Sequence, residues 1–121
     1  MDINTISIIG RLTRDADVAY TTTGVAVAKL SIAVNHMKKE EVSFFEVKVF
    51  GKLAENLKDY LRKGKQIGIE GYLKQERWEK DGQKFSKNII IANSIELLGG
   101  NNGSSQNAGG YNESNDYGYG N

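Results

Sequence analysis

Five segments of strand character, interrupted once by a stretch of helical periodicity between the third and fourth, predict an all-β fold: a five-stranded OB-fold Greek-key barrel with one helix between strands 3 and 4. Three observations carry that expectation. Period-two alternation recurs along residues 3–98, an Asp-Gly pair occupies the short gap between the last two segments, and the composition changes abruptly after Leu98.

The first strand is read at residues 3–10, INTISIIG, which are rich in β-branched side chains. After the turn TTTG comes the second, residues 24–35, with Ala26, Ala28, Leu30, Ile32 and Val34 on one face. The third, residues 42–50, places Phe45, Val47 and Val49 in the core. Its other face carries Phe44, Glu46, Lys48 and Phe50, two large rings among an acid and a base. In GKLAENLKDYLRKGK the residues Leu53, Leu57, Tyr60 and Leu61 recur at helical spacing, and Gly64 stands where helices commonly stop. A helix of about three turns follows from that spacing, with Tyr60 in its buried stripe. The fourth strand spans residues 66–78, with Ile67, Ile69 and Leu73 on the apolar face and Tyr72 and Trp78 on the polar one. The sequence KDGQ then turns the chain into the fifth strand, residues 85–92 continued by 94–98.

A length of 121 residues suits one domain. With no cysteine, disulfide and thiolate-metal schemes are excluded, which fits a reducing compartment. The N-terminus has no basic region ahead of an apolar run, and no later run has membrane-spanning length, so a cytoplasmic protein without membrane attachment is expected. The net charge of +1 is unevenly divided: all 16 Lys and Arg precede residue 98, while Glu113 and Asp116 follow it. Residues 1–98 are therefore read as a mildly basic domain, for which a phosphate-bearing partner is allowed and not demanded. Residues 99–121, GGNNGSSQNAGGYNESNDYGYGN, hold half of the 14 glycines and no aliphatic residue larger than alanine, and read as a disordered tail.

Catalysis finds little support in this chain. His36 is the single histidine and reads as a surface residue, the acids are interleaved with lysines, and the Gly-Lys pairs at 51–52 and 64–65 lack the earlier glycine of a phosphate-binding loop. No cofactor, metal or catalytic residue is expected. The exposed rings are more informative. Phe44, Phe50, Tyr72 and Trp78 fall on polar faces, and unpaired nucleobases stack on such rings for about 1–3 kcal/mol each while nearby cations attract the phosphates. A strand bulge that buries the rings, or a subunit interface that covers them, would explain the same pattern. Lys58, Lys84 and Lys87 read as solvated surface.

The stretch VFGKLAENLKDYLRKGKQIGIEGYL resembles the centre of the bacterial-type single-stranded DNA-binding protein family, with its F-G-K-L-A-E helix start, Y-L-x-K-G helix end and I-E-G strand. IIGRLTRDADVAYTTTGVAVAKLSIAVN is similar to that family's opening hairpin, and RWEKDGQK to its long hairpin between the fourth and fifth strands. The resemblance covers residues 1–98. It implies an OB-fold that forms a homotetramer and wraps single-stranded DNA with little sequence preference, in replication, recombination or repair. Phe44, Phe50 and Trp78 match stacking positions, and Tyr72 joins them from the strand reading. Arg11, Arg14, Lys52, Lys63, Lys74 and Arg77 match basic positions, and Lys48, standing among the rings, completes the phosphate candidates.

Three departures qualify the resemblance. The connection HMKKEEV is short and has Lys38 near a place where some relatives carry an aromatic residue. Glu46 and Glu76 set acids on the expected binding face, which implies a modest salt dependence. The sequence ends SNDYGYGN where family members usually carry an acidic tip ending in Pro-Phe, so the usual recruitment of repair and replication proteins is not expected. That would suit a paralogue or a phage- or plasmid-encoded version. The alternative function is an OB-fold accessory protein, like the family's primosomal relative, acting mainly through protein contacts. RNA remains open as a second ligand, since stacking tolerates either sugar.

Overall fold

The computed structural model describes residues 2–38 and 40–99. The tail read at residues 99–121, with its three tyrosines, lies outside them except for Gly99. Six strands and one helix follow in the order β1 (Ile6–Leu12), β2 (Asp17–Tyr20), β3 (Ala26–Asn35), β4 (Val42–Phe50), α1 (Gly51–Leu57), β5 (Gln66–Lys80) and β6 (Gln83–Leu97). The five expected strands are β1, β3, β4, β5 and β6. β2 is an addition of four residues paired to β3 from Asp17↔Lys29 to Tyr20↔Ala26, too short to register as a periodicity.

The sheet runs β1-β5-β6-β4-β3-β2, and β1 also meets β3 at Arg11↔Ala33 and Leu12↔Ile32. That second pairing closes the sheet on itself as a barrel. Every pairing is antiparallel except β4 with β6, a short parallel join at Val47↔Ile90 and Lys48↔Ile91. Inside lie Ala28, Leu30 and Ile32 from β3, Val47 and Val49 from β4, Ile67 and Ile69 from β5 and Ile90 from β6, together with Leu12, Ala54 and Leu61. Each large aliphatic side chain taken out of water there contributes about 1.5–3 kcal/mol. Among the described residues no polar or charged side chain is buried.

Three expectations about the core are corrected. The helix ends at Leu57 after seven residues, about two turns, because the chain turns at once: Tyr60 N–H donates to Leu57 O at 2.8 Å and Ala16 N–H donates to Leu61 O at 2.9 Å. Leu61 still enters the core, but the helical spacing no longer governs Tyr60, which is 59% exposed. Phe45 lies on the inward face beside Ile32 yet stays partly exposed, since β6 covers β4 only at Val47 and Lys48. Leu73 is likewise exposed, because β5 has left the barrel at that point.

β5 and β6 stay paired far beyond the barrel, out to Lys80↔Gln83. Asp81 and Gly82 close this hairpin with φ of 53° and 77°, the doubly left-handed geometry of a type I′ turn. At the hairpin's base the register shifts: Glu70 opposes Ser94 and Gly71 opposes Ala92, which leaves Asn93 of β6 bulged. A β-carbon on Gly71 would stand 1.9 Å from Ile91 O, so glycine alone fits that crossing. Asn4 clasps the same base. Its Nδ2 donates to Leu73 O at 2.8 Å and its Oδ1 accepts from Leu73 N–H at 2.9 Å, replacing the rung that β1 no longer supplies beyond Ile6↔Gly71.

Candidate nucleic-acid interface

Register determines which side chains share the outer face. On β4, Phe50, Lys48, Glu46 and Phe44 oppose Val27, Lys29, Ser31 and Ala33 of β3. Across the parallel join Lys48 opposes Ile91, and β6 sets Ile91, Ile89, Lys87 and Phe85 opposite Tyr72, Lys74, Glu76 and Trp78 of β5. All four stacking candidates, Phe44, Phe50, Tyr72 and Trp78, therefore stand on one continuous outer face. They are exposed by 66%, 44%, 36% and 45% respectively, so neither a bulge nor the barrel interior buries them.

Phe85 belongs with them and was missed in the sequence. Its ring stacks on Trp78 with centroids 5.7 Å apart and planes 21° from parallel, and Lys87 Nζ sits 5.8 Å from the centre of the Trp78 ring. Lys87 is thus part of the aromatic face and not an independent surface charge. A signal for both was available: a two-residue Asp-Gly turn makes Trp78 and Phe85 direct partners, and period two then brings Lys87 to the same side.

Two ion pairs cross this face. Lys48 Nζ meets Glu76 Oε2 at 2.6 Å, and Lys87 Nζ meets Glu46 Oε1 at 2.9 Å. Because β6 lies between β4 and β5, the first pair bridges over β6 at the level of Ile89. Ile89 and Ile91 are accordingly buried although they point outward, away from the barrel core. The hydrogen bond from Lys48 holds the Glu76 carboxyl below the usual carboxylate range, with the charges of Lys48, Lys87 and Lys74 acting in the same sense. The Glu46 carboxylate, by its hydrogen bond, raises the Lys87 ammonium above its ordinary value. Lys48, a phosphate candidate in the sequence, is therefore already paired.

The remaining cations fall into two groups. Lys74 stands on the aromatic face. Arg77 opposes Ser86 on the reverse face of the hairpin, where its guanidinium donates to Gln75 Oε1. Arg11 shares an outer row with Ala33 and Phe44, its backbone two strand spacings or about 10 Å from that of Phe44, and donates to Gly64 O at 3.2 Å. Lys63 donates its backbone N–H to Asp15 Oδ1 at 2.8 Å, beside Arg14. That hydrogen bond is the main reason the Asp15 carboxyl is held low, with Arg62 adding to it. Arg11, Arg14 and Lys63 thus gather around the loop that follows α1. Lys52 is exposed on α1 itself.

Two other groups are accounted for locally. His36 Nε2 lies 2.6 Å from Ser43 Oγ at the surface. Lys58 bonds Glu55 at 2.8 Å and donates to Tyr20 Oη at 3.1 Å, tying α1 to β2 instead of standing free. Among the described residues no group of three His, Cys, Asp or Glu side chains is placed to hold a metal ion, and no helix is long and apolar enough to cross a membrane.

A barrel of this strand order, with rings and cations displayed together on one outer face, is an OB-fold with the surface chemistry of a nucleic-acid binder. The chain belongs to the Single-strand binding protein family, which matches it over residues 3–98. It is 44% identical over 104 residues to the single-stranded DNA-binding protein of Treponema pallidum, covering 81% of this chain and 59% of that one. With the protein of the same name from Wolinella succinogenes it shares 42% over 122 residues, covering 94% of this chain and 73% of that one. A crystal structure of a deletion mutant of the single-stranded DNA binding protein from Thermus aquaticus superposes with a TM-score of 0.69 at 33% identity, covering 81% of this chain and 51% of that one. The chain thus spans little more than half the length of the Treponema and Thermus proteins.

Proposed function

We propose that this chain binds single-stranded DNA without sequence preference and shields exposed strands during replication, recombination or repair, as a non-enzymatic protein of the bacterial cytoplasm associated with the nucleoid. The observation that carries the reading is the alignment of Phe44, Phe50, Tyr72, Trp78 and Phe85 on one exposed face, with Lys74 beside them and the Arg11, Arg14, Lys63 cluster near one end. Bases stack on the rings while the cations follow the backbone. Self-association into a homotetramer is part of the reading. It is supported by the β1 edge, which β3 pairs only at Arg11 and Leu12, and by Ile9, which is 57% exposed beside that edge.

Trp78 is the single tryptophan and reports directly on the proposed face. Titration with oligo-dT quenches its fluorescence, and duplex DNA of equal length leaves it nearly unchanged. Absence of quenching by oligo-dT would leave the accessory-protein reading in its place. Light scattering on the same sample checks the tetramer.

A further inference from the structure

We infer that Glu46 and Glu76 are built-in counterions of the outer face, and that they make the protein select ligands with free base faces over ligands that offer phosphates alone. The inference rests on the reading of this face as a single-stranded DNA site. The two lysines that lie between the Phe44–Phe50 patch and the Trp78–Phe85 patch are both taken: Lys48 by Glu76 at 2.6 Å and Lys87 by Glu46 at 2.9 Å. The Lys48 and Glu76 side chains are only 17% and 26% exposed, so this pair is seated in the face and not waving above it.

The physical consequence concerns what a phosphate gains there. A polyanion normally binds by releasing condensed mobile ions, and that release produces the steep salt dependence of protein–DNA affinity. Here the lysines' counterions are carboxylates tethered to the same sheet. Displacing them costs a hydrogen-bonded ion pair, and the freed carboxylate stays nearby to repel the incoming phosphate. A duplex, whose bases are stacked internally, therefore finds little at the centre of this face. A single strand still gains the full stacking on Phe44, Phe50, Trp78 and Phe85, because the ion pairs leave those rings exposed. Glu46 and Glu76 act through the lysines and are positioning residues.

The test measures affinity for oligo-dT and for a duplex of equal length, across a salt series, in the full chain and in Glu76→Gln, Glu46→Gln, Lys48→Gln and the double variant Glu76→Gln with Lys48→Gln. Glu96→Gln, an exposed acid outside these pairs, controls for charge alone, and thermal midpoints confirm folding. Glu76→Gln is expected to steepen the salt slope by about 0.7 in log–log terms, the value of one added phosphate contact on a single strand, and to raise duplex affinity more than oligo-dT affinity. Lys48→Gln alone, which leaves the Glu76 carboxylate unpaired on the face, is expected to weaken oligo-dT binding, whereas the double variant, which removes both members of the pair, is expected to return to the parent's slope. Equal slopes for Glu76→Gln and Glu96→Gln, or a double variant that keeps the steepened slope of Glu76→Gln, would overturn the inference while leaving strand binding intact. Failure of the parent chain to bind oligo-dT would remove the reading beneath it instead.

Discussion

The barrel and the hairpin that leaves it share two strands, β5 and β6, and are held by different means. Within the barrel, β5 sends Ile67 and Ile69 into full burial and β6 adds Ile90. Beyond the Gly71 crossing, Leu73, Trp78 and Phe85 are 46%, 45% and 40% exposed. What holds the hairpin is the ladder, the Asp81–Gly82 turn, the Trp78–Phe85 stack and the Asn4 clasp at its base. Along β5 the deep burial thus lies before the Gly71 crossing and the Trp78–Phe85 stack beyond it, while Phe44 and Phe50 stand on the outer face of the barrel strand β4. Stability and DNA affinity should respond to different substitutions.

Leu30→Ala in the barrel should produce the largest change: a loss of about 2–5 kcal/mol of unfolding free energy, read by denaturant melts, because the fully enclosed site cannot collapse around the cavity. Trp78→Ala in the hairpin should do the reverse. Oligo-dT affinity should drop by about 1–3 kcal/mol, while unfolding free energy falls by no more than the roughly 0.2–1 kcal/mol of a cross-strand pair. A Trp78→Ala variant as unstable as Leu30→Ala would show that the two regions form one cooperative core, and the separation would fail.

The smallest effect concerns pH and the pairs that join β4 to the hairpin strands. Glu76 has its carboxyl lowered from 4.5 by Lys48 in the fold, so its contribution is fully present above that value and is lost as pH falls through the lowered one. Stability measured downward from about pH 4.5 should therefore decline more in the parent than in Glu76→Gln, by no more than about 1 kcal/mol for a partly exposed pair. Identical acid profiles would mean the pair contributes nothing to holding the strands together.

Much of this architecture was legible because alternation is a local signal. The inward row Ala26, Ala28, Leu30, Ile32 of β3 and the outward rings of β4 follow from period two once the strands are recognised. The Asp-Gly turn was legible for the same reason. Tyr60 was misplaced because helical spacing in the sequence continues past the point where the chain turns at Leu57. Leu73 was misplaced because an apolar residue in phase with a buried row reads as buried, whether or not the barrel still covers the strand. β2 carried no period long enough to recognise.

The sequence by itself determined which side of each strand is apolar, where the hairpin turns and which rings stand out of phase with the core, since these depend on neighbours within a few residues. Only the tertiary structure decided how far the barrel extends along β5, that Phe85 completes the aromatic patch, and that Lys48 and Lys87 are occupied by Glu76 and Glu46. The ion pairs join residues 28 and 41 positions apart across a strand order that no local periodicity encodes. Which charges neutralise one another depends on which strands lie side by side, and that is settled only when the sheet closes.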